Sequence, residues 1–255
     1  MEKQQRPQHK EIPLVTPQRV LRDKGIDPAE YQFTTAILVF MPIGPIARLF
    51  NGEPLGKRVL SMANKCWLCH DHGGTLLWGP IYSGPVCAST TEELAALGVK
   101  YAIGFELSGS LVDDIVPGDL MLAESGLASD GTTREYTSQE ESGPDPEMFT
   151  LAREVFTERG MNPKTSKVWT TDAIYREYPS KVAYWRERGA SFVNMETSPF
   201  YAVARETGIK AVYLSLVSDH VGGEGWTGWP SDLSQGITPL WGVCVDIVAR
   251  VGKIR

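Results

Sequence analysis

The sequence has no excess of positive charge and no long hydrophobic run. Its 255 residues include 25 Lys and Arg against 31 Asp and Glu, which gives a formal net charge of −6. Nucleic acids and anionic membranes select basic surfaces, so this balance argues against both as partners. No apolar segment approaches the ~20 residues of a transmembrane helix. The composition therefore indicates neither a nucleic-acid nor a membrane partner.

Cysteine is scarce as well. Four Cys are few for a chain of this length, and residues 1–13 lack the apolar centre of a signal peptide. We therefore expect a cytoplasmic protein with free thiols. Cys66, Cys69 and His70 have the spacing of a c-type haem attachment motif, and His72 could add a zinc ligand. Because no second Cys/His pair with the usual spacing follows, we expect neither haem nor a metal.

The composition indicates one folded domain. Pro7, Pro13 and Pro17 interrupt residues 1–30, which we predict to be an N-terminal arm. Residues 31–255 contain no internal repeat and no linker, and the hydrophobic content of 42% suffices for a large core. We predict a single α/β domain with a mixed, mostly parallel central sheet flanked by helices.

The segment 192–221 contains two acidic residues at the ends of predicted strands. Met195 and Glu196 follow an apolar strand and precede a helix, and Asp219 follows the apolar strand Ala211–Val217. This order predicts a βαβ unit whose neighbouring parallel strands bring both carboxylates into one pocket. Taken singly, a Glu at a helix start is favoured by the helix dipole, and an Asp after a strand often forms a turn.

The two pairs Met195-Glu196 and Ser218-Asp219, with their order and the elements between them, resemble the nucleoside phosphorylase superfamily. That family includes purine nucleoside phosphorylases, uridine phosphorylases and adenosylhomocysteine-type nucleosidases. The resemblance implies a small-molecule nucleoside as the partner and cleavage of its N-glycosidic bond, with Glu196 on the ribose hydroxyls and Asp219 as the acid at the leaving base. It further implies a homo-oligomer, a dimer or a hexamer, and no cofactor other than phosphate as a possible co-substrate.

The same resemblance assigns further substrate contacts. Tyr82, in a glycine-rich turn, falls where a side chain commonly touches the sugar, and Ser108 matches a small-residue position at the sheet edge. Thr170 opens the segment that borders the base in this family. Ile174 stands where an aromatic ring often stacks on the base, and Arg176 could reach the base edge. A solvent-exposed Arg176 is an equally acceptable interpretation.

The phosphate-binding positions of the family are only partly present. Gly44 and Arg48 reproduce the spacing of a phosphate-binding Gly and Arg after the first strand. Where the family has a phosphate-binding Arg and a hydroxyl residue, this chain has Gly104 and Leu107. Glu106 stands between these two positions. Its carboxylate would repel a bound phosphate unless the carboxyl group is protonated or paired with a positive charge.

Three functions therefore remain open from the sequence. Phosphorolysis to a free base and a sugar 1-phosphate is placed first, because Gly44 and Arg48 keep part of the phosphate site. Hydrolysis by water, with Glu106 as the base, is the second. A nucleoside-binding protein without catalysis is the third. Trp226 and Trp229 lie in a glycine-rich segment, which is typical of a lid over a pocket or of a subunit interface.

Overall fold

The computed structural model describes residues 13–31, 33–50, 53–54, 65–69, 74–222, 225–229 and 232–251. The α-helices are α1 (Pro17–Asp23), α2 (Gly44–Phe50), α3 (Gly84–Ala96), α4 (Thr133–Tyr136), α5 (Pro146–Glu158), α6 (Pro179–Arg186), α7 (Thr197–Thr207) and α8 (Ser234–Val251). The strands are β1 (Thr35–Val39), β2 (Glu53–Pro54), β3 (Lys65–Cys69), β4 (Thr75–Gly79), β5 (Tyr101–Ser110), β6 (Leu120–Ala128), β7 (Glu141–Ser142), β8 (Lys164–Thr170), β9 (Ala190–Asn194), β10 (Lys210–Gly222) and β11 (Gly225–Trp226). Within these ranges, no helix is both long and apolar enough to cross a bilayer.

The strands form one mixed sheet, as predicted. Its order is β11-β10-β6-β8-β9-β5-β1-β4-β3-β2, and β10 pairs additionally with β5. Strands β5, β10, β6, β8 and β9 therefore form a closed, barrel-like part of the sheet. Strands β1, β4, β3 and β2 extend the sheet from the free side of β5. The long pairings β5–β10 and β6–β8 are parallel, whereas β5–β9 and β6–β10 are antiparallel.

Helices cover both faces of this sheet, as expected for an α/β domain. One apolar cluster joins α3 and α7 to the sheet and includes Trp78 and Phe200. The other joins α5 and α8 to the opposite face and includes Phe105 and Trp241. Leu21, from the segment expected to be an arm, is fully buried in the first cluster.

Strand β5 is the organising element of the sheet. One of its edges pairs with β10 from Tyr101 to Ser110. The other edge pairs with β1 as far as Phe105 and with β9 from Gly109 onward. Residues 106–108 lie between these two pairings, so the sheet opens beside them. Ligands of α/β proteins bind where neighbouring strands diverge in this way.

The predicted βαβ unit with neighbouring parallel strands is wrong. Strand β9 runs antiparallel to β5, whereas β10 runs parallel to it. The physical reason is that β5 lies between them and hydrogen bonds to both, so that α7 connects strands on opposite edges of β5. Glu196 and Asp219 consequently approach the same strand from its two sides.

Candidate active site

A buried pair of carboxyl groups lies at the opening of the sheet. Glu106 on β5 is 6% exposed, and Glu196, which directly precedes α7, is 3% exposed. The protonated carboxyl of Glu106 donates a hydrogen bond to the carboxylate of Glu196. Burial, and then the charge of Glu196, raises the pKa of Glu106 well above its ordinary value; burial also raises the pKa of Glu196. The raised pKa values favour a pair that holds a proton between its two carboxyl groups.

The backbone holds Glu196 in place. Its Oε1 accepts from the Ser83 backbone N–H at 2.6 Å, and its Oε2 accepts from that of Met195 at 3.2 Å. Ser83 has φ of 82°, a region that residues other than glycine seldom adopt and that is concentrated at functional sites. Tyr82 is 54% exposed beside it, and its pKa is raised by burial and by the charge of Glu196. Glu196 is thus held by the residue that follows Tyr82.

The other carboxyl is held by side chains. Glu106 Oε2 accepts from Asn194 Nδ2 at 2.9 Å and from the Tyr213 hydroxyl. The parallel register places Tyr213 opposite Gly104, and a Cβ at Gly104 would lie 2.3 Å from the Tyr213 ring. Only glycine fits beneath this ring, since real Cβ atoms do not come so close. Tyr213 therefore occupies the space above the position that the resemblance assigns to a phosphate-binding Arg.

A row of buried polar groups continues along β5. Asn194 Nδ2 also donates to Thr197 Oγ1 at 2.7 Å, and Ser108 Oγ lies 3.4 Å from the same nitrogen. The Ser215 hydroxyl donates to Ser108 Oγ at 2.8 Å, and Ser218 Oγ lies 3.4 Å from the Ser108 carbonyl oxygen. Satisfied buried networks of this kind rigidify the groups they contain. This row of polar groups leads from the first acidic centre of the site, the Glu106–Glu196 pair, to the second, Asp219.

Asp219 is presented by a β-bulge. Ser218 is the extra residue of β10 between two pairs in register with β5, a device that re-aims neighbouring side chains. Asp219 is 8% exposed; Oδ1 accepts from the Ser218 hydroxyl and Oδ2 from Trp226 Nε1 at 2.8 Å. Trp226 belongs to β11, which pairs antiparallel with the end of β10, and its ring lies edge-on to Trp229. The segment that contains Trp226 and Trp229 is thus hydrogen-bonded directly to Asp219.

The two acidic centres are separated along β5. Asp219 pairs with Gly109, three residues beyond Glu106. At a rise of about 3.3 Å per residue, their register positions are offset by roughly 10 Å along β5. This spacing suits an elongated small molecule with one end at each centre.

The remaining predicted substrate contacts lie outside this row. The Thr170 hydroxyl accepts from the Ser198 backbone N–H at 3.0 Å, and so it supports the first turn of α7. Ile174 is 44% exposed. Arg176 is exposed as well, and its guanidinium donates to the Tyr175 carbonyl at 3.1 Å. Glu177 of the same segment is half-buried, and burial, and then the charge of Asp219, raises its pKa to about 7.

The predicted phosphate ligands lie on α2. Gly44 and Arg48 are both exposed, and Arg48 Nε donates to the Gly44 carbonyl at 3.3 Å. The groups found to donate to Glu106 and Glu196 are backbone, amide, hydroxyl and carboxyl groups, none of which carries a positive charge. The centre of the site is therefore acidic.

The structure describes little of the Cys/His motif. His70 and His72 lie outside the described residues, and Cys66 and Cys69 are described only by the backbone of β3. In the part of the chain that is described, no three His, Cys, Asp or Glu side chains are grouped as a metal ion requires. The thiol of Cys87 is free and buried behind Glu196.

Three residues of the site were not predicted from the sequence: Ser83, Asn194 and Tyr213. Asn194 offered a local signal, because it stands at a strand end directly before Met195 and Glu196. The others acquire their role only through partners that are distant in sequence. The Tyr213–Glu106 hydrogen bond, for instance, joins residues 107 positions apart.

A pair of carboxyl groups and a third acidic side chain lie beside strand β5, and such groups can transfer protons to and from a small substrate. Comparison with known proteins gives the family. A model of the phosphorylase superfamily matches residues 36–234, and the chain belongs to that superfamily. The predicted resemblance and the prediction of an enzyme of the nucleoside phosphorylase or nucleosidase kind are confirmed.

Relatives agree with this assignment. An uncharacterised protein of Acanthamoeba polyphaga mimivirus, R802, is 29% identical over 231 residues, covering 89% of this chain and 90% of R802. A DeoD-type purine nucleoside phosphorylase of Clostridium perfringens is 29% identical over 132 residues, 51% of this chain and 56% of that enzyme. The match thus spans about half of that relative's length. The structure of an AMP nucleosidase from Bacteroides thetaiotaomicron superposes with a TM-score of 0.74 at 18% identity, covering 94% of this chain and 100% of that one, and confirms the fold.

Proposed function

We propose that this enzyme cleaves the N-glycosidic bond of a purine nucleoside with water as the nucleophile. The observation that supports water is the buried pair of Glu106 and Glu196, which shares one proton. The purine is supported by the similarity to the Clostridium perfringens enzyme, whose name specifies purine nucleosides.

Phosphorolysis, which the sequence alone places first, is less compatible with this site. Inorganic phosphate at neutral pH is an anion, and it would have to bind beside a carboxyl pair that already carries one negative charge. Like charges in a buried site repel each other strongly, because the low dielectric screens them poorly. The position that would hold a phosphate-binding Arg is Gly104, and Tyr213 covers it. These features favour a neutral nucleophile.

The two acidic centres have complementary roles in the proposed reaction. As the bond from the sugar to the base breaks, its electron pair leaves with the base and positive charge develops on the sugar. The negative charge of the Glu106–Glu196 pair stabilises that positive charge and accepts the proton that the attacking water loses. Glu196 and Tyr82 hold the sugar, and Asp219 hydrogen bonds to the base. The products are free sugar and free base.

The test is the identity of the sugar product. The protein is incubated with adenosine, inosine, guanosine and uridine, in buffer without phosphate and in buffer with millimolar phosphate, and the products are identified by ¹H and ³¹P NMR. We expect purine nucleosides to give free ribose at a rate that does not depend on phosphate. Ribose 1-phosphate, formed only when phosphate is present, would establish phosphorolysis. Binding of a nucleoside without any product would support the non-catalytic alternative.

We further propose that the enzyme is a homo-oligomer whose interface includes the aromatic residues near the site. Trp226 and Trp229 are 57% and 61% exposed, and Tyr175 is 88% exposed. Exposed apolar groups in such density are typical of interaction surfaces. We expect light scattering at micromolar concentration to give the mass of a dimer or a hexamer, and Trp229→Asp to lower that mass. A monomer under these conditions would contradict the proposal.

A further inference from the structure

The ring of Tyr213 lies along the face of β5 that carries Glu106. Tyr213 is fully buried and stands opposite Gly104 in the parallel register of β10 and β5, whereas Glu106 stands opposite Ser215, two positions further along. The Tyr213 hydroxyl nevertheless donates a hydrogen bond to Glu106 Oε2. Residues two apart on a strand point to the same face, so the ring passes over Gly104 in order to reach Glu106.

Gly104 provides the room for this ring. A Cβ at position 104 would lie 2.3, 2.7 and 2.9 Å from three atoms of the Tyr213 ring. The ring has little space to move away, because Phe40 stacks on it with centroids 5.3 Å apart and Phe200 packs edge-on at 5.6 Å. A side chain at position 104 would therefore displace the hydroxyl from Glu106. Gly104 and Tyr213 act together as one arrangement.

This arrangement holds one oxygen of Glu106 from two sides. Oε2 accepts from the Tyr213 hydroxyl and from Asn194 Nδ2, the latter at 2.9 Å. Both donors are uncharged, and neither of the two contacts involves Oε1. Two donors on one oxygen fix the plane of the carboxyl group and leave the other oxygen for proton exchange.

We propose that Tyr213 is a positioning residue for Glu106, whose hydroxyl holds Oε2 so that Oε1 takes the proton of the attacking water. This inference rests on the proposed function. As the water attacks, its oxygen forms a bond to the sugar carbon and one of its O–H bonds breaks. The released proton passes to Oε1 of Glu106, and the proton already held in the carboxyl pair passes to Glu196. Solvent removes the additional proton after the products have left.

The electrostatics of the site agree with this role. Burial, and then the charge of Glu196, raises the pKa of Glu106, whereas the hydrogen bonds from Tyr213 and Asn194 act in the opposite direction. Burial, and then the charge of Glu106, raises the pKa of Tyr213, so its hydroxyl keeps its proton and remains a donor. The other titratable group behind this pair is the buried thiol of Cys87. Loss of the Tyr213 hydroxyl would therefore make Glu106 retain its proton to higher pH.

The test is the pH profile of Tyr213→Phe. Phenylalanine fills the same space and removes only the hydroxyl. The carboxyl pair must carry a negative charge in order to accept a proton, so kcat for the release of free ribose in phosphate-free buffer should rise with pH as the pair ionises. We expect this rise to move up by about 1 pH unit in Tyr213→Phe, which lowers kcat about tenfold on its acid side. KM should stay unchanged, since Tyr213 lies beneath Glu106 rather than against the substrate.

Two further variants separate the hydroxyl from general effects on the fold. Tyr136→Phe is the matched control, because it removes a 2.7 Å hydrogen bond between a tyrosine and Glu92 outside the site. Its pH profile should be that of the wild type. Gly104→Ala, whose Cβ displaces the Tyr213 ring, should reproduce the shift of Tyr213→Phe. The double variant should show no larger shift than Tyr213→Phe alone, because both changes act through the same hydroxyl.

The outcomes distinguish this inference from the proposed function. If Tyr213→Phe forms free ribose with the pH profile of the wild type, the inference is wrong, whatever happens to the thermal transition, and the proposed function stands. If Tyr213→Phe does not fold, Gly104→Ala decides: a shifted profile supports the inference, and an unshifted one overturns it. If the wild type forms no free ribose in phosphate-free buffer, the proposed function fails, and the inference fails with it.

Discussion

Asp219→Asn is expected to lower kcat on a purine nucleoside by about 10²–10⁴-fold, the range for loss of acid–base assistance at a leaving group. Asparagine keeps the shape of the side chain but removes the negative charge. The base then loses its carboxylate partner. Steady-state kinetics with saturating substrate measures this effect.

The matched control is Asp113→Asn. Asp113 is 83% exposed and pairs with His220, the residue that follows Asp219, so this change removes a nearby carboxylate outside the site. We expect kcat close to that of the wild type. If Asp219→Asn retained wild-type kcat and a normal thermal transition, Asp219 would have no part in the reaction. A lost thermal transition would show instead that Asp219 is required for folding.

Glu106→Gln is expected to be both inactive and more stable than the wild type. Glutamine can accept the hydrogen bonds from Asn194 and Tyr213 through its oxygen and can donate to Glu196 through its amide. The fold therefore keeps its contacts. The pair loses the group that can exchange a proton with water, so kcat should fall by about 10²–10⁴-fold.

The gain in stability follows from the raised pKa of Glu106. The folded protein holds this proton at a pH where the unfolded chain, with a carboxyl pKa of 4.5, has released it. The stability of the wild type therefore falls as the pH rises above about 4.5 toward the raised pKa, and Gln has no proton to release. We expect the advantage of Glu106→Gln to be small at pH 4 and to reach about 0.5–2 kcal/mol at pH 8, as is usual when a strained active-site group is replaced.

Urea denaturation at several pH values measures this difference. Glu124→Gln, at an exposed position of β6, is the control for the loss of one carboxylate. An advantage of Glu106→Gln that is constant with pH would contradict a shared proton in the Glu106–Glu196 pair. Full activity of Glu106→Gln would remove Glu106 from the reaction, and water activation would then have to be assigned to Glu196 alone.

The sequence by itself was sufficient for the family, and it indicated two acidic positions of the candidate site. Met195-Glu196 and Ser218-Asp219 are short local patterns, each set by a strand that ends and by the residue that follows it. The replacement of a phosphate-binding Arg by Gly104, and the arrival of Glu106, could also be recognised along a single strand. From these residues, however, phosphate and water could not be distinguished as nucleophiles.

What Glu106 does was decided only by the tertiary structure. Its two hydrogen-bond donors are distant along the chain: the hydrogen bond with Asn194 spans 88 residues and that with Tyr213 spans 107. These contacts exist because β5 pairs with β9 and β10 in a particular register, and register depends on the packing of the whole sheet. The same is true of Asp219, whose direction is set by a bulge against β5. Local pattern determines which residues stand at strand ends, whereas strand pairing determines which of them share a proton.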